Sequence, residues 1–259
     1  MQNPTHFMTD FRIAEKTVYN EHYFSLVLQH PERLPQMEPG QFVEVEVPDE
    51  KGVFLRRPIS IHDVDPERAT LSLLVQTVGK GTRRLSRLEP GATLNLVYPL
   101  GHGFTPVAGN VLLVGGGAGM APLLFLARRL ASQGAKPTVL LGGRSADRIP
   151  IRDRYEAWAH VGYATEDGSL GEKGLVTQHS LFALPYDHIY TCGPTPMMKA
   201  VARSARERGI DCELSLENLM ACGLGACLCC VCDTDAGHRC VCKQGPVFRA
   251  NELTRWLAQ

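Results

Sequence analysis

The sequence predicts a fold of the class α/β plus β: a small antiparallel β-barrel, an α/β domain on a parallel sheet, and a short cysteine-rich unit at the C-terminus. Three observations carry this. The first hundred residues read as short strands between turn signals, the next hundred alternate apolar runs with helical stretches, and seven of the nine cysteines crowd between Cys222 and Cys242. The domain limits implied are 1–105, 106–216 and 217–259.

In the first unit, strands are expected at Phe24 to Gln29, Gln41 to Val47, Leu55 to Ile61, Thr70 to Thr77 and Thr93 to Val97. Val43, Val45 and Val47 alternate with Glu44 and Glu46, the period of a half-buried strand. Pro39-Gly40 and Pro90-Gly91 mark turns, and one short helix is expected from about Thr82 to Leu88. Several short strands with a single helix suit a barrel.

In the second unit the expected strands are Val111 to Val114, Thr138 to Leu141, Gly162 to Thr165, His188 to Cys192 and Cys212 to Leu216. Helices are expected at Met120 to Ser132 and near Pro196 to Arg208. Alternation of this kind implies a parallel sheet. The tail beyond Leu216 is too short for a core of its own without a staple, and a metal centre is the natural one.

With 259 residues, 44% hydrophobic and 21% charged, the chain can bury a substantial core. Lysine plus arginine equals aspartate plus glutamate at 27 each, so no overall field favours nucleic acid or an anionic membrane. Met1 to Lys16 is polar, and no stretch approaches the roughly 18 apolar residues that cross a bilayer, so a cytoplasmic location is expected.

Cys222, Cys227 and Cys230 are separated by four and then two residues, the plant-ferredoxin spacing for a 2Fe-2S cluster, which a distal cysteine would complete. Gly223 and Gly225 suit a loop whose amides point at sulfur. Cys229, Cys232, Cys240 and Cys242 are all available as the fourth ligand. A structural zinc site is the alternative, because Cys227 with Cys230 and Cys229 with Cys232 also form C-x-x-C pairs.

Val111 to Val114 runs into Gly115-Gly116-Gly117-Ala118-Gly119-Met120-Ala121-Pro122, a glycine-rich turn between a buried strand and a helix. A dinucleotide can approach such a backbone closely, Gly115, Gly117 and Gly119 being the candidate contacts. The alternative is a turn that only packs the helix on the sheet. Cys192, Gly193 and Pro194 end another strand at the same carboxyl edge, where Cys192 could equally be a small buried residue. Arg57, Pro58, Ile59 and Ser60 sit on a strand whose proline blocks ordinary ladder pairing, so that Arg57 could hold a pyrophosphate and Ser60 could reach a flavin ring. Gly79-Lys80-Gly81-Thr82 opens the short helix, with amides free for a pyrophosphate. Arg83 and Arg84 read equally well as solvated surface.

These motifs resemble the electron-transfer subunits of NAD-linked bacterial dihydroorotate dehydrogenase, within the ferredoxin-reductase-like superfamily. The resemblance covers nearly the whole chain. It rests on Arg57 to Ser60, Gly79 to Thr82, Gly115 to Pro122, Thr165-Glu-Asp-Gly-Ser169, Cys192 to Pro194, Met220-Ala-Cys-Gly-Leu-Gly-Ala-Cys227 and Val241-Cys-Lys-Gln-Gly-Pro-Val-Phe248.

The resemblance implies an FAD-binding barrel, a nicotinamide-binding domain with NAD as electron acceptor, and a 2Fe-2S domain with Cys242 as the fourth ligand. It also implies FAD contacts at Arg57 to Ser60, at Gly81 and Thr82, and at Leu74, Val75 and Gln76, the last three matched by their distance from Gly81 and Thr82. It implies a partner as well: an FMN-containing catalytic subunit, in a heterotetramer of two plus two serving pyrimidine biosynthesis. No catalytic base for dihydroorotate is then expected in this chain. Two departures stand out. Only eleven residues separate Cys230 from Cys242, shorter than the usual loop, and Cys229, Cys232 and Cys240 are extra thiols. A subunit of a ferredoxin:NAD(P) oxidoreductase or a hydrogenase-linked complex shares these modules, and a zinc-stabilised binding module without flavin is the rival from another class. Arg144 and Ser145 follow a strand and could meet a 2'-phosphate, while the resemblance favours NAD.

Overall fold

A computed structural model describes residues 6–259; residues 1–5 of the polar N-terminal stretch lie outside it. Six strands, β1 (Phe7–Val18), β2 (Tyr23–Gln29), β3 (Phe42–Val45), β4 (Arg57–Asp65), β5 (Thr70–Gln76) and β6 (Thr93–Leu100), close into a barrel in the order β1-β2-β5-β4-β3-β6. Every pairing is antiparallel, and a helix, α1 (Lys80–Leu85), lies between β5 and β6.

The polar reading of Met1 to Lys16 misses β1, which closes the barrel against β6. A barrel strand needs only one apolar face. Phe11 and Ile13 are 0% exposed inside, while Asp10, Arg12 and Glu15 face outward.

The alternation expected for β3 holds on one face, where Val43 and Val45 are fully buried, and Glu46 is exposed as expected. Glu44 is the correction: it is 1% exposed, and neither carboxylate oxygen has a hydrogen-bond partner. The cause is tertiary. The C-terminal tail lies on the outer face of β3, with Gly223 so close that a Cβ there would stand 2.7 Å from Glu44 Cγ.

The second unit comprises β7 (Val111–Gly116), α2 (Met120–Ser132), β8 (Thr138–Gly143), α3 (Arg152–Glu156), β9 (His160–Thr165), β10 (Glu172–Lys173), β11 (His188–Cys192), α4 (Thr195–Glu207) and β12 (Asp211–Ser215). These strands are parallel in the order β10-β9-β8-β7-β11-β12. The barrel meets this sheet through α2. His62 on β4 is completely buried; its Nδ1–H donates to the Ala121 carbonyl at 2.9 Å, and Arg154 donates to its Nε2 at 3.3 Å. Burial, and then the Arg154 charge, push the His62 pKa down to about 3, so the ring is neutral and can accept from Arg154. Beside it Arg128 pairs with Asp63 at 2.9 Å.

The tail holds β13 (Val231–Thr234), β14 (Gly237–Cys240), α5 (Val241–Gln244), β15 (Val247–Arg249) and α6 (Thr254–Ala258). It does not depend on a metal staple alone. Strand β15 adds antiparallel to the edge of β12, with Phe248 opposite Leu214. Phe248, Leu253 and Leu257 join the buried group around α4 and β12, so the tail shares the core of its neighbour.

Candidate functional site

Three sites lie side by side. The first is a cavity of about 320 Å³ between the barrel, the carboxyl edge of the sheet and the tail. Pro58, Ile59 and Ser60 from β4, Leu74, Val75 and Gln76 from β5, and Thr82 from α1 all line it. The expected residues meet there because β4 and β5 are antiparallel neighbours, which sets the start of β4 beside the end of β5. Three wall segments were not anticipated: Phe42 on β3, Ser215 to Asn218 at and just past the end of β12, and Met220 with Pro246 from the tail. The rule that placed Cys192 at the carboxyl edge also points to Ser215 and Glu217, since Cys192 pairs with Ser215. Glu217 is exposed as a whole residue, but it lines the cavity, and desolvation of its carboxyl there pushes it up.

Arg57 and Gly81 do not line this cavity. Arg57 Nη1 donates to the Leu55 carbonyl at 2.7 Å, and its guanidinium lies over Gly81, where a Cβ would stand 2.6 Å from Nε. The Thr82 hydroxyl accepts from the Val78 and Gly79 amides at 2.9 and 3.1 Å, which fixes the entry to α1. A cation and a helix start thus share one spot, an arrangement suited to a phosphate.

The second cavity, about 600 Å³, opens at the carboxyl ends of β7, β8 and β9 and the start of α4. Strand β7 has β8 on one side and β11 on the other, so the strand order reverses there, as at the ligand crevices of open α/β sheets. Gly117 and Pro194 line it, together with Gly116, Gly142, Gly143, Arg144 and Glu166; Gln76 lines both cavities.

Gly115, Gly119, Cys192 and Gly193 stand behind the wall. A Cβ on Gly115 would meet Leu123 and Leu141, and one on Gly119 would overlap the Cys192 carbonyl and the Gly193 amide. These positions bring the start of α2 close to the end of β11. Cys192 is 1% exposed, and burial first, then the Glu217 charge, push its thiol well up, so it is chemically quiet. Ser145 points instead to Asp147, leaving Arg144 as the basic side chain of that pair in the cavity.

The third site is the cysteine loop. Gly223 and Gly225 have φ of +68° and +79°, and they turn the chain so that amides meet sulfur. The Leu224 and Cys227 amides donate to Cys222 Sγ at 3.4 and 3.5 Å, Gly225 N donates to Cys242 Sγ at 3.1 Å, and Cys242 N donates to Cys230 Sγ at 3.3 Å. Burial acts upward on Cys222, but these amides outweigh it and bring the thiol down to about 6. Cys242, 2% exposed, is pushed up to about 12 by burial and by the Cys230 thiol. Cys227 and Cys229 are exposed. Among the described residues no three His, Cys, Asp or Glu side chains are gathered closely enough to hold a single ion. Four thiols receiving or neighbouring amide donors are the donor set that a sulfur-bridged iron cluster takes.

The chain matches three family models in turn: an oxidoreductase FAD-binding domain over residues 10–104, an oxidoreductase NAD-binding domain over residues 113–203, and the iron-sulfur cluster binding domain of dihydroorotate dehydrogenase B over residues 217–254. It is 39% identical to the dihydroorotate dehydrogenase B (NAD(+)) electron transfer subunit of Shouchella clausii (strain KSM-K16), over 93% of this chain and 96% of that one. Its identity to the protein of the same name from Listeria monocytogenes serotype 4a (strain HCC23) is also 39%, covering 95% and 98%. Among solved structures, one titled as an NADH-dependent reduced ferredoxin-NADP oxidoreductase superposes with a TM-score of 0.85 at 34% identity, over 93% of this chain and 88% of that one. The ferredoxin reductase in carbazole 1,9a-dioxygenase, at 23% identity and a TM-score of 0.69, shares the fold over 79% of this chain and 67% of that one. With FAD-binding, NAD-binding and iron-sulfur domains in this order, the chain is an oxidoreductase subunit and belongs to the family of dihydroorotate dehydrogenase B (NAD(+)) electron transfer subunits.

Proposed function

We propose that this chain carries electrons from the FMN of a dihydroorotate-oxidising partner to NAD, within pyrimidine biosynthesis in the cytoplasm. One observation supports the order of carriers: Phe42, in the wall of the first cavity, packs in the same buried group as Cys230 and Cys242, while Gln76, in the same wall, also borders the second cavity. Bound FAD supplies the conversion between two-electron hydride chemistry at nicotinamide and the one-electron steps of an iron-sulfur cluster. The chain's part is to hold and shield.

Pro58 to Ser60 and Leu74 to Gln76 would grip the flavin, Arg57 and the start of α1 its phosphates, and the Gly116-Gly117 turn with Pro194 the nicotinamide dinucleotide. Cys222, Cys227, Cys230 and Cys242 would bind a 2Fe-2S cluster. Residues 1–105, 106–216 and 217–259 are the corresponding units. Leu219, Leu224 and Leu228 are 80%, 47% and 64% exposed around the cysteine loop, an apolar surface suited to a catalytic partner in a heterotetramer of two plus two.

The test is anaerobic copurification with an FMN-containing subunit, followed by assay. Orotate and NADH should appear in equal amounts from dihydroorotate and NAD. The 34% identity to a ferredoxin-NADP oxidoreductase structure favours a second reading, an electron-transfer subunit of a ferredoxin- or hydrogenase-linked complex. Turnover with reduced ferredoxin, and none with dihydroorotate, would decide for it.

A further inference from the structure

A further cavity, of about 570 Å³, opens at the amino ends of β11 and β12, the edge of the sheet opposite the second cavity. Its size lies within the roughly 300–1,000 Å³ of small-molecule sites. Three parts of the chain wall it: the link from barrel to sheet at Thr105 and Val107, the end of α4 with the turn into β12, and the residues after β15. None of the electron carriers assigned above uses it.

The strand register explains why polar groups collect there. His188 on β11 stands beside Asp211 on β12, Tyr190 beside Glu213, and Glu213 beside Arg249 on β15. Neighbours across a ladder share a face, as do residues two apart along a strand, so all five side chains point the same way. This floor is pinned. The Thr105 amide donates to Glu213 Oε2 at 2.9 Å, the Tyr190 hydroxyl donates to the Thr105 carbonyl at 2.7 Å, and the His188 ring packs on Tyr190 with centroids 4.4 Å apart.

The buried end and the rim differ in chemistry. His188 and Glu213 are 8% and 3% exposed, and His188 Nε2 is buried with no hydrogen-bond partner among the described residues. A buried ring nitrogen left unpaired is costly, and a ligand that pairs with it recovers the loss. At the rim, Arg206, Asp211, Arg249 and Asn251 are exposed. The ion pairs of the tail use Arg239 and Arg255, and neither Arg206 nor Arg249 takes part in one among the described residues.

Two unpaired guanidiniums suit a phosphate. A bare anion fits poorly, because Asp211 and Glu213 share the cavity and repel it. Carboxylates beside guanidiniums suit a molecule that joins a phosphate to hydroxyl and N–H donors. We infer that this cavity binds a nucleoside monophosphate, with its phosphate at the rim on Arg206 and Arg249, its sugar hydroxyls toward Asp211, and its base at the buried end against His188 and Glu213.

The full chain with its FAD should be titrated by calorimetry with UMP, AMP, uridine, adenosine and inorganic phosphate, each with and without saturating NAD. At least one nucleotide should bind at one site per chain, unaffected by NAD, and about tenfold or more tighter than its nucleoside or phosphate. In R206A/R249A the dissociation constant of that nucleotide should rise about tenfold or more, while FAD content and NADH affinity match wild type.

Failure of both nucleotides to bind at millimolar concentration overturns the inference. Binding abolished by NAD does so too, since it places the nucleotide in the second cavity, as does a nucleoside or phosphate that binds as tightly. Should R206A/R249A lose its FAD, R206Q/R249Q replaces it with the same expectation. Unchanged nucleotide affinity in the variant used overturns the inference.

Discussion

Glu44 gives the sharpest test of how the tail sits on the barrel. Its carboxyl is 1% exposed and unpartnered, and burial raises its pKa from 4.5 to about 7, with Arg56 opposing and Cys222 adding to the rise. A carboxyl pKa raised on folding means that the folded chain holds the proton more tightly than the unfolded one. The stability contributed by this group is therefore full below about pH 4.5, falls as pH rises, and levels off above about 7. At about 1.4 kcal/mol per unit, the loss attributable to this group is about 3 kcal/mol. Glu44→Gln keeps the shape and removes the titration. Urea unfolding of the FAD-loaded chain, followed by tryptophan fluorescence across this range, should show a stability difference between variant and wild type that grows by that amount toward alkaline pH. Other buried carboxyls cancel in the difference. Two parallel pH profiles would mean that Glu44 is solvated or paired, and that the tail does not seal β3.

Gly119→Ala would push a methyl group into the Cys192 carbonyl, so α2 and β11 must part; the dissociation constant for NADH should rise about tenfold or more while FAD stays bound, as fluorescence titration would show. Phe248→Ala removes a ring that is 2% exposed in the core shared by tail and sheet, and should cost about 3–5 kcal/mol in urea unfolding. Leu219→Ser with Leu228→Ser alters two exposed side chains, so stability should change by less than about 0.5 kcal/mol each while affinity for the catalytic partner, measured by calorimetry, falls; unchanged affinity would remove the loop from the interface.

The α/β half was the most legible part of the fold. Helix α2 and strand β11 occupy the expected residues because a continuous apolar run, a glycine turn and a helical period are local signals. The misses are tertiary in origin. Strand β1 carries charges on its outer face, and its pairing with β6 closes a barrel across some ninety residues of sequence. Glu44 alternates correctly and is buried anyway, because the surface it faces is built by residues near 223. At the site, the clustered motifs at Pro58 to Ser60 and in the cysteine loop were readable. Phe42 and Tyr23 were not, since each is a single side chain at the start of a strand and enters a wall only when distant elements meet. Among the glycines, composition could not separate those facing a cavity, such as Gly117, from those that permit close packing, such as Gly119.

The way the tail is attached bears on how the three sites work together. A cysteine loop on a free linker would move independently of the first cavity, but this one is held on two sides. Strand β15 extends the parallel sheet at β12, and the segment from Gly223 through Cys230 and Cys242 packs against Phe42 and Leu100 of the barrel. Met220 and Pro246, from either end of the loop region, form part of the first cavity's wall. Damage to the cysteine loop should therefore loosen the first cavity from the tail side, while the second cavity, bounded by β7, β8, β9 and α4, keeps its shape. The sheet and α2 are thus the fixed frame, and the tail is the element whose order couples the cysteine loop to the first cavity.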